Sequence, residues 1–436
     1  MHEGIDPGNA VQGGLVLDIE SLAYGGRGVA RGPDGKVFFV PLVIPGERVE
    51  VSVERVHASY CETRLDKVLE PSGNRVQPFC QDFGTCGGCD WQHIRYPHQV
   101  ELKHAILKGF VERVAPGAFV MCDDVPSPRD IGYRCRATLR FVQGGGVFGF
   151  YARGSHDVVP FRGCAVLTPL LQQTLRRLAE AVREGFPAGA VEVNVIAPSD
   201  DALVSVTLRG RCAGKSIERL GRVRESLGIA GLAFKFASDR RSEVLGSTHV
   251  TYTVRIGGSA FRLTCGTGAF LQANAPVNEA MVAHVTESLG DSRRVLDLYA
   301  GSGNFSIPAA SRSTSVFAVE SDRSLVRLGM KAASLNGCTN VAFVRGDARR
   351  VVKDYALEGR KFDAVVLDPP RQGAREVAAS LDALGPGRVV YVSCNPSTMA
   401  RDVSILCRSG FGVVSVRLFD MFPHTHHIES VVVLER

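Results

Sequence analysis

Cysteine is most often a small buried apolar residue, yet Cys394 stands in Ser393-Cys394-Asn395-Pro396, directly after the strand-like run RVVYV. The strand-like run before it, FDAVVL, ends in Asp368-Pro369-Pro370-Arg371. In open α/β sheets such carboxyl ends line the ligand crevice. Asp-Pro-Pro followed by an aromatic residue would suit methylation of an amino group, with the ring stacked on a base; Arg371 occupies that position instead. A thiolate beside a methyl donor points to covalent chemistry on a poor nucleophile, such as C5 of uracil. Sulfur adds to C6, the resulting enolate is nucleophilic at C5, and C5 takes the methyl group. A base then removes the C5 proton and the thiolate is expelled. The candidate base is Glu429, in His426-His427-Ile428-Glu429-Ser430 at the start of the last strand. Gln272, in Phe270-Leu271-Gln272-Ala273-Asn274, can reach a base edge or the cofactor. His424, His426 and His427 invite a metal reading, but no regular ligand spacing accompanies them.

The cofactor candidate is Asp297-Leu298-Tyr299-Ala300-Gly301-Ser302-Gly303-Asn304-Phe305, which follows a strand and opens a helix. Glycine lets the backbone turn sharply and approach a ligand. A lone GxG is a weak signal. Here Glu320 ends the next strand, where a carboxylate accepts both ribose hydroxyls, and Asp347 ends the third, where an adenine edge would lie. A dinucleotide site wants a third glycine, but Ser306 stands there, and the loop has no basic residue to meet a phosphate. A ligand with ribose and no phosphate, S-adenosylmethionine, fits better.

A second cluster is Cys80-x5-Cys86-x2-Cys89, interleaved with Gly84, Gly87 and Gly88. Backbone N–H groups in such a loop can point at sulfur. Three thiolates need a fourth ligand, and a zinc ribbon would want a second CxxC pair, which does not follow. Cys122, Cys135 and Cys164 are the later candidates. A single distant cysteine closing the set suits an iron–sulfur cluster, although spacing leaves zinc open.

These residues need a framework. From about residue 265 the chain alternates strand and helix through VLDLYAGSG, VFAVE, AFVRGDA, FDAVVLDPP and RVVYVSCNP. A closing strand pair too closely spaced for a helical crossover follows. This is a doubly wound, Rossmann-like parallel sheet with an antiparallel edge. Residues 14–70 are short alternating runs broken by glycine, which predicts a small β-barrel. Between them, residues 131–263 mix strand runs with a helix over 168–185, an α+β domain that is mostly antiparallel. The fold class is therefore multidomain α/β. At 436 residues the chain holds two to four domains. No apolar run approaches a membrane span, the first residues lack an apolar leader, and the expected address is the cytoplasm. Twelve cysteines in such a chain read as buried thiols, ligands or nucleophiles rather than a disulfide framework. The net charge of +6 is mild, but it is unevenly spread. Residues 1–75 carry 8 basic and 11 acidic residues, whereas 90–260 carry 23 basic and 16 acidic. Arg134, Arg136 and Arg140 would project from one side of a strand, as a solvated face or a phosphate-tracking ridge.

With these motifs assembled, the chain closely resembles the uracil-5-methyltransferases of large-subunit ribosomal RNA that carry an N-terminal TRAM domain and a 4Fe–4S cluster. The resemblance runs from about residue 14 to the C-terminus. It rests on the cysteine loop with Gly87-Gly88-Cys89-Asp90, then FLQAN, DLYAGSGNFS, DPPR, SCNP and MFPHTHHIES, in the family's order. It implies Cys394 as nucleophile and Glu429 as general base. It implies Gln272, Tyr299, Asn304, Glu320, Asp347 and Asp368 as cofactor contacts, with Asp368 also near the target base. Cys80, Cys86, Cys89 and Cys164 would be the cluster ligands. The implied layout is a disordered tail over 1–13, an OB-like TRAM barrel over 14–72 and the cysteine loop over 73–95. A helical segment over 96–125, packed on the methyltransferase domain, would follow. A central RNA-binding α+β domain over 126–263 and a class I methyltransferase domain over 264–436 complete it. Two departures stand out: the barrel region is net acidic, and Tyr299-Ala300 stand where many relatives have Phe and Cys. The related transfer-RNA enzymes lack the cluster and the TRAM domain, so ribosomal RNA is the expected partner and a transfer-RNA uridine enzyme the alternative. No Pro-Cys pair of the kind used by cytosine C5 enzymes follows the fourth strand. An intact Cys394 and Glu429 speak against a non-catalytic RNA-binding factor, and a redox protein would lose function on cluster reduction. No membrane partner is expected, and the chain is expected to act as a monomer.

Overall fold

The computed structural model describes residues 14–32, 34–117, 119–142, 147–183, 189–209, 214–236, 242–267 and 269–436. The tail expected over 1–13 lies outside the described residues. Among the described residues no helix is long and apolar enough to cross a membrane. Two compact units result: one runs to Ile106 and adds Pro423–His427, the other takes Leu107–Phe422 and Ile428–Arg436.

In the first unit, period-two alternation builds a sheet from Leu15–Asp18, Ser21–Leu22, Gly28–Arg31, Val37–Val40, Arg48–Val56 and Tyr60–Glu70. Their spatial order is first, fifth, sixth, fourth, third, second. Val49 and Val51 bury against Leu17, Phe38 and Val40, while Arg48 points outward. Gly26 sits at φ +82°, and a Cβ there would come within 2.8 Å of Trp91 Nε1 and 2.9 Å of His426 Cβ. The segment Pro423–His427 is bound into this unit by main-chain and side-chain hydrogen bonds. The N–H groups of Asp90 and Trp91 donate to His424 O at 3.1 and 3.0 Å. His424 N donates to the buried Gln99 Oε1 at 2.7 Å, and His426 N donates to Asp90 Oδ1 at 3.0 Å.

The second unit has two large sheets. The middle sheet runs Val158–Pro160, Phe148–Tyr151, Arg136–Phe141, Ala190–Ile196, Leu203–Leu208, Gly231–Phe236, Ser242–Gly246. All neighbours are antiparallel except Leu203–Leu208 and Gly231–Phe236, which are parallel and flank the helix Gly214–Leu227. The helix Pro169–Arg183 packs Leu171, Leu175, Leu178 and Val182 on the sheet at helical spacing.

The other sheet contains β1 (Arg294–Leu298), β2 (Ser315–Glu320), β3 (Val341–Arg345), β4 (Ala364–Leu367), β5 (Arg388–Ser393), β6 (Gly412–Phe419) and β7 (Glu429–Glu435). Their order is β3-β2-β1-β4-β5-β7-β6, and Val120–Met121 adds a short parallel strand beside β6. Strands β1 to β5 are parallel and β7 is antiparallel to both neighbours. Every residue of β4 is buried, as a strand covered on both faces requires. The hairpin of His249–Ile256 and Ser259–Gly266 carries sequence assigned above to the middle domain. Its Val254 and Leu263 join the core around Met281, Val282 and Val295 beside the parallel sheet, while Val250 and Cys265 pack with Ile196 and Leu203 of the middle sheet. Strand periodicity reveals a hairpin but not which core its apolar face will meet.

Candidate active site

A cavity of about 510 Å³ lies at the carboxyl ends of β1, β2, β4 and β5. Gln272, Tyr299, Asn304, Glu320, Asp368, Cys394 and Glu429 all line it. Asp347 does not: it is exposed and caps the helix Ala348–Leu357, accepting from Arg350 N at 3.1 Å. Sequence reasoning missed Tyr252, Leu325 and the cavity role of Phe270 and Arg371. Phe270 is 63% exposed, and the Arg136 guanidinium lies 5.2 Å from its ring centre. Its place in FLQAN was a signal; Tyr252 and Leu325 carried none, because each reads as an ordinary apolar position.

The glycine loop is held open by its own backbone. Tyr299 adopts φ +66°, a left-handed conformation costly for a side chain of this size, and such strain concentrates at ligand sites. Gly303 follows at φ +93°. Gly301 N donates to Glu320 Oε2 at 3.1 Å and Asp322 N donates to Glu320 Oε1 at 2.8 Å, which fixes that carboxylate at the end of β2. Asn304 and Asn278 exchange amide hydrogen bonds of 3.0 and 2.9 Å. Gln272 is buried, and its Oε1 has no hydrogen-bond partner among the described residues. A buried acceptor of this kind calls for a donor from a ligand. The volume, the Glu320 carboxylate fixed at the cavity wall and the orphan amide oxygen together fit a nucleoside-bearing methyl donor.

Burial dominates the electrostatics. It pushes Glu429 up to about 8, with the neighbouring Asp368 carboxylate adding to the rise and Arg371 opposing it. Asp368 and Asp297 are each pushed up to about 7, mainly by burial and, for Asp368, further by Asp297. Burial and then the Glu429 and Asp368 carboxylates raise the half-buried Cys394 thiol to about 11, while Arg371 pulls it down. Among the described residues lining the cavity, Arg371 is the one cation. A thiol, a carboxyl poised near neutrality and a proton-holding Asp368 around one cavity have the parts for nucleophilic attack and proton removal.

The cysteine loop lies in the first unit. Cys80, Cys86 and Cys89 are half-buried, and Gly88 N donates to Cys86 Sγ at 3.4 Å. Cys164 lies in the middle domain, where its N–H donates to Gln172 Oε1 at 3.1 Å. Among the described residues, no set of three or more His, Cys, Asp or Glu is gathered as a metal ion requires. The histidine run is engaged otherwise: His426 Nδ1 meets Asp90, and His424 Nδ1 faces Gln99 Nε2 at 3.1 Å.

Doubly wound strand order, the strained glycine loop and the nucleoside-sized cavity define an S-adenosylmethionine-dependent methyltransferase. Residues 95–436 match the tRNA (uracil-5-)-methyltransferase family, and residues 15–65 match the TRAM domain. The chain belongs to the RNA (uracil-5-)-methyltransferase family. It is 33% identical to a 23S rRNA (uracil(1939)-C(5))-methyltransferase of Aeromonas salmonicida, over 97% of this chain and 96% of the relative. It is 35% identical to the enzyme of that name from Alkalilimnicola ehrlichii, over 96% of each. The solved structure of the Pyrococcus abyssi tRNA (uracil-54, C5)-methyltransferase with S-adenosyl-L-homocysteine matches with a TM-score of 0.75. That match has 24% identity and covers 96% of this chain and 99% of that one. That match shows a shared fold over nearly the whole of both chains.

Proposed function

We propose that this protein methylates C5 of a uridine in large-subunit ribosomal RNA, with Cys394 as nucleophile and Glu429 as general base. The observation that carries the reading is the shared cavity: thiol, carboxyl and glycine loop meet in one space. S-adenosylmethionine, when bound, supplies the electrophilic methyl group. Gln272, Tyr299, Asn304, Glu320 and Asp368 hold it. Asp347 joins at the adenine end through the carboxylate oxygen that its helix cap leaves. The Cys394 thiolate bonds to C6 of the uracil as the C5–C6 π bond opens to an enolate, and C5 of that enolate takes the methyl group. Asp368, with its pKa near 7, keeps a proton to donate toward the charge developing on O4. Glu429 takes the C5 proton, C6 releases the sulfur, and Cys394 returns.

The ribosomal assignment is supported by the full-length likeness to the 23S rRNA enzymes. The test offers labelled S-adenosylmethionine with unmodified ribosomal and transfer RNA separately, followed by digestion to nucleosides. Label in 5-methyluridine from ribosomal RNA alone is the expected result. Label from transfer RNA would keep the chemistry and overturn the substrate.

We further propose that Cys80, Cys86, Cys89 and Cys164 hold a 4Fe–4S cluster. Half-buried thiols and a glycine N–H directed at sulfur are the donor chemistry such a cluster takes.

A further inference from the structure

The turn after Asp368 is fastened to the helix after Cys394, and the fastening converges on one carboxylate. Gly373 N donates to Pro370 O at 2.7 Å, closing a turn over Arg371 and Gln372. Asn395 Nδ2 and Thr398 Oγ1 donate to Arg371 O at 3.0 and 3.1 Å. Arg401 Nη2 donates to Gln372 O at 2.9 Å. Ala374 N donates to Asp402 Oδ2 at 2.6 Å, and Arg401 Nε donates to Asp402 Oδ1 at 2.8 Å. Residues 395, 398, 401 and 402 recur at the three- and four-residue spacing that puts them on one side of the helix Pro396–Arg408.

Asp402 is fully buried, and Tyr391 Oη donates to its Oδ2 at 2.8 Å. Burying a carboxylate is costly unless it is paired and hydrogen-bonded, and Asp402 offsets that cost by accepting from Ala374 N, Arg401 Nε and Tyr391 Oη. Two of its three donors belong to, or hold, the 371–374 turn. Gly373 sits at φ +77°, and a Cβ there would lie 2.5 Å from Asp402 Oδ2 and 2.6 Å from Arg401 Nη2. Turn and carboxylate are therefore in contact with no room for a side chain between them. Arg371 is what this turn presents to the cavity, in company with Cys394 and Glu429.

We propose that Asp402 is a positioning residue of the reaction: it latches the 371–374 turn so that the Arg371 guanidinium stays in the cavity with the Cys394 thiol. The proposal rests on the reading of Cys394 as nucleophile. The latch keeps beside the thiol the one cation among the described residues lining the cavity, against the burial and the two carboxylates that disfavour a thiolate.

The test is the pH dependence of Cys394 alkylation by iodoacetamide in the full-length protein, read on the Cys394 peptide by mass spectrometry. Removing a buried negative charge would by itself make the thiolate easier to form. Losing Arg371 from the cavity makes it harder. Asp402→Asn, which leaves one oxygen for the Ala374, Tyr391 and Arg401 donors and sets its amide N–H against the rest, is expected to move the alkylation midpoint upward by about one pH unit. Arg371→Gln should move it the same way. Tyr391→Phe, which takes a donor from the same carboxylate without touching the turn, should leave the midpoint where it is. If Asp402→Asn does not fold, Thr398→Val, which removes one clasp on Arg371 O, should give a smaller upward shift. A folded Asp402→Asn protein with an unchanged or lowered midpoint overturns the latch, as does an equal shift in Tyr391→Phe. Full methylation by Cys394→Ala would instead overturn the nucleophile, and the alkylation data would still judge the latch.

Discussion

Glu429 must be an anion to take a proton, yet burial holds its carboxyl protonated at neutral pH, with a pKa of about 8. A carboxyl whose pKa is raised gains its basic form only as pH climbs toward that value. Resolution of the RNA-bound intermediate, followed in a single turnover, is therefore expected to quicken roughly tenfold per pH unit below about 8 and then to level. A flat profile between pH 6 and 8 would show that another group takes the proton. Asp368 works in the opposite sense: with a pKa of about 7, it serves as a proton donor below neutrality and loses that form above it. Because the base has the higher pKa, charged Glu429 beside protonated Asp368 is a minority form at every pH, and it is most populated between about 7 and about 8. The place of Cys394 and Glu429 in one cavity was legible in the sequence because each stands at a strand end beside a proline or histidine motif. Asp402 was not. An aspartate within RDVSILC reads as a solvent-facing helical residue, and only the packed turn from 371 to 374 makes it a buried latch.

At the scale of elements, the β1 loop shows how backbone conformation prepares a ligand site. Gly303 stands at φ +93°, and a Cβ there would meet Ile307 Cγ1 and the Phe343 ring at 3.0 Å. Gly303→Ala would have to move the loop off its present path, at about 1–2 kcal/mol for the left-handed conformation alone. Calorimetric titration should show S-adenosylmethionine binding weakened roughly tenfold, with the protein still folded. Unchanged affinity would mean that the loop does not cradle the cofactor. The order of the strands around this loop was readable, since strands buried on both faces form continuous apolar runs separated by helical periodicity. Two matters were not readable. Asp347 ends β3 as expected, but whether its carboxylate turns to a ligand or caps the next helix depends on geometry beyond the strand pattern. The hairpin 249–266 likewise could have closed either domain, and it meets both: Val254 and Leu263 enter the core of the parallel sheet, while Val250 and Cys265 pack with Ile196 and Leu203 of the middle sheet.

For the molecule as a whole, charge and chain path carry the remaining expectations. Residues 1–75 carry 11 acidic against 8 basic residues, whereas residues 90–260 carry 23 basic against 16 acidic, so the positive charge that could meet phosphates lies in the later segment. Glu429, the proposed base, follows a segment, Pro423–His427, that belongs to the first unit and is hydrogen-bonded to Asp90, the residue after Cys89. No local pattern in the sequence discloses that excursion, because the bonds join residues more than three hundred positions apart. If Cys164 completes the cluster of the cysteine loop, Cys164→Ser should lose the brown chromophore and most of its iron by elemental analysis. Unchanged iron would return the fourth ligand to Cys122 or Cys135. The central claim is that carbon–sulfur bond formation at Cys394 precedes proton removal by Glu429. Its most direct test is to incubate Glu429→Gln enzyme with substrate RNA and S-adenosylmethionine, digest both polymers, and sequence the cross-linked peptide by mass spectrometry. The account predicts a methylated uridine nucleotide joined to Cys394, absent from a Cys394→Ala, Glu429→Gln double variant; free turnover without an adduct, or a nucleotide on any other cysteine, would contradict it.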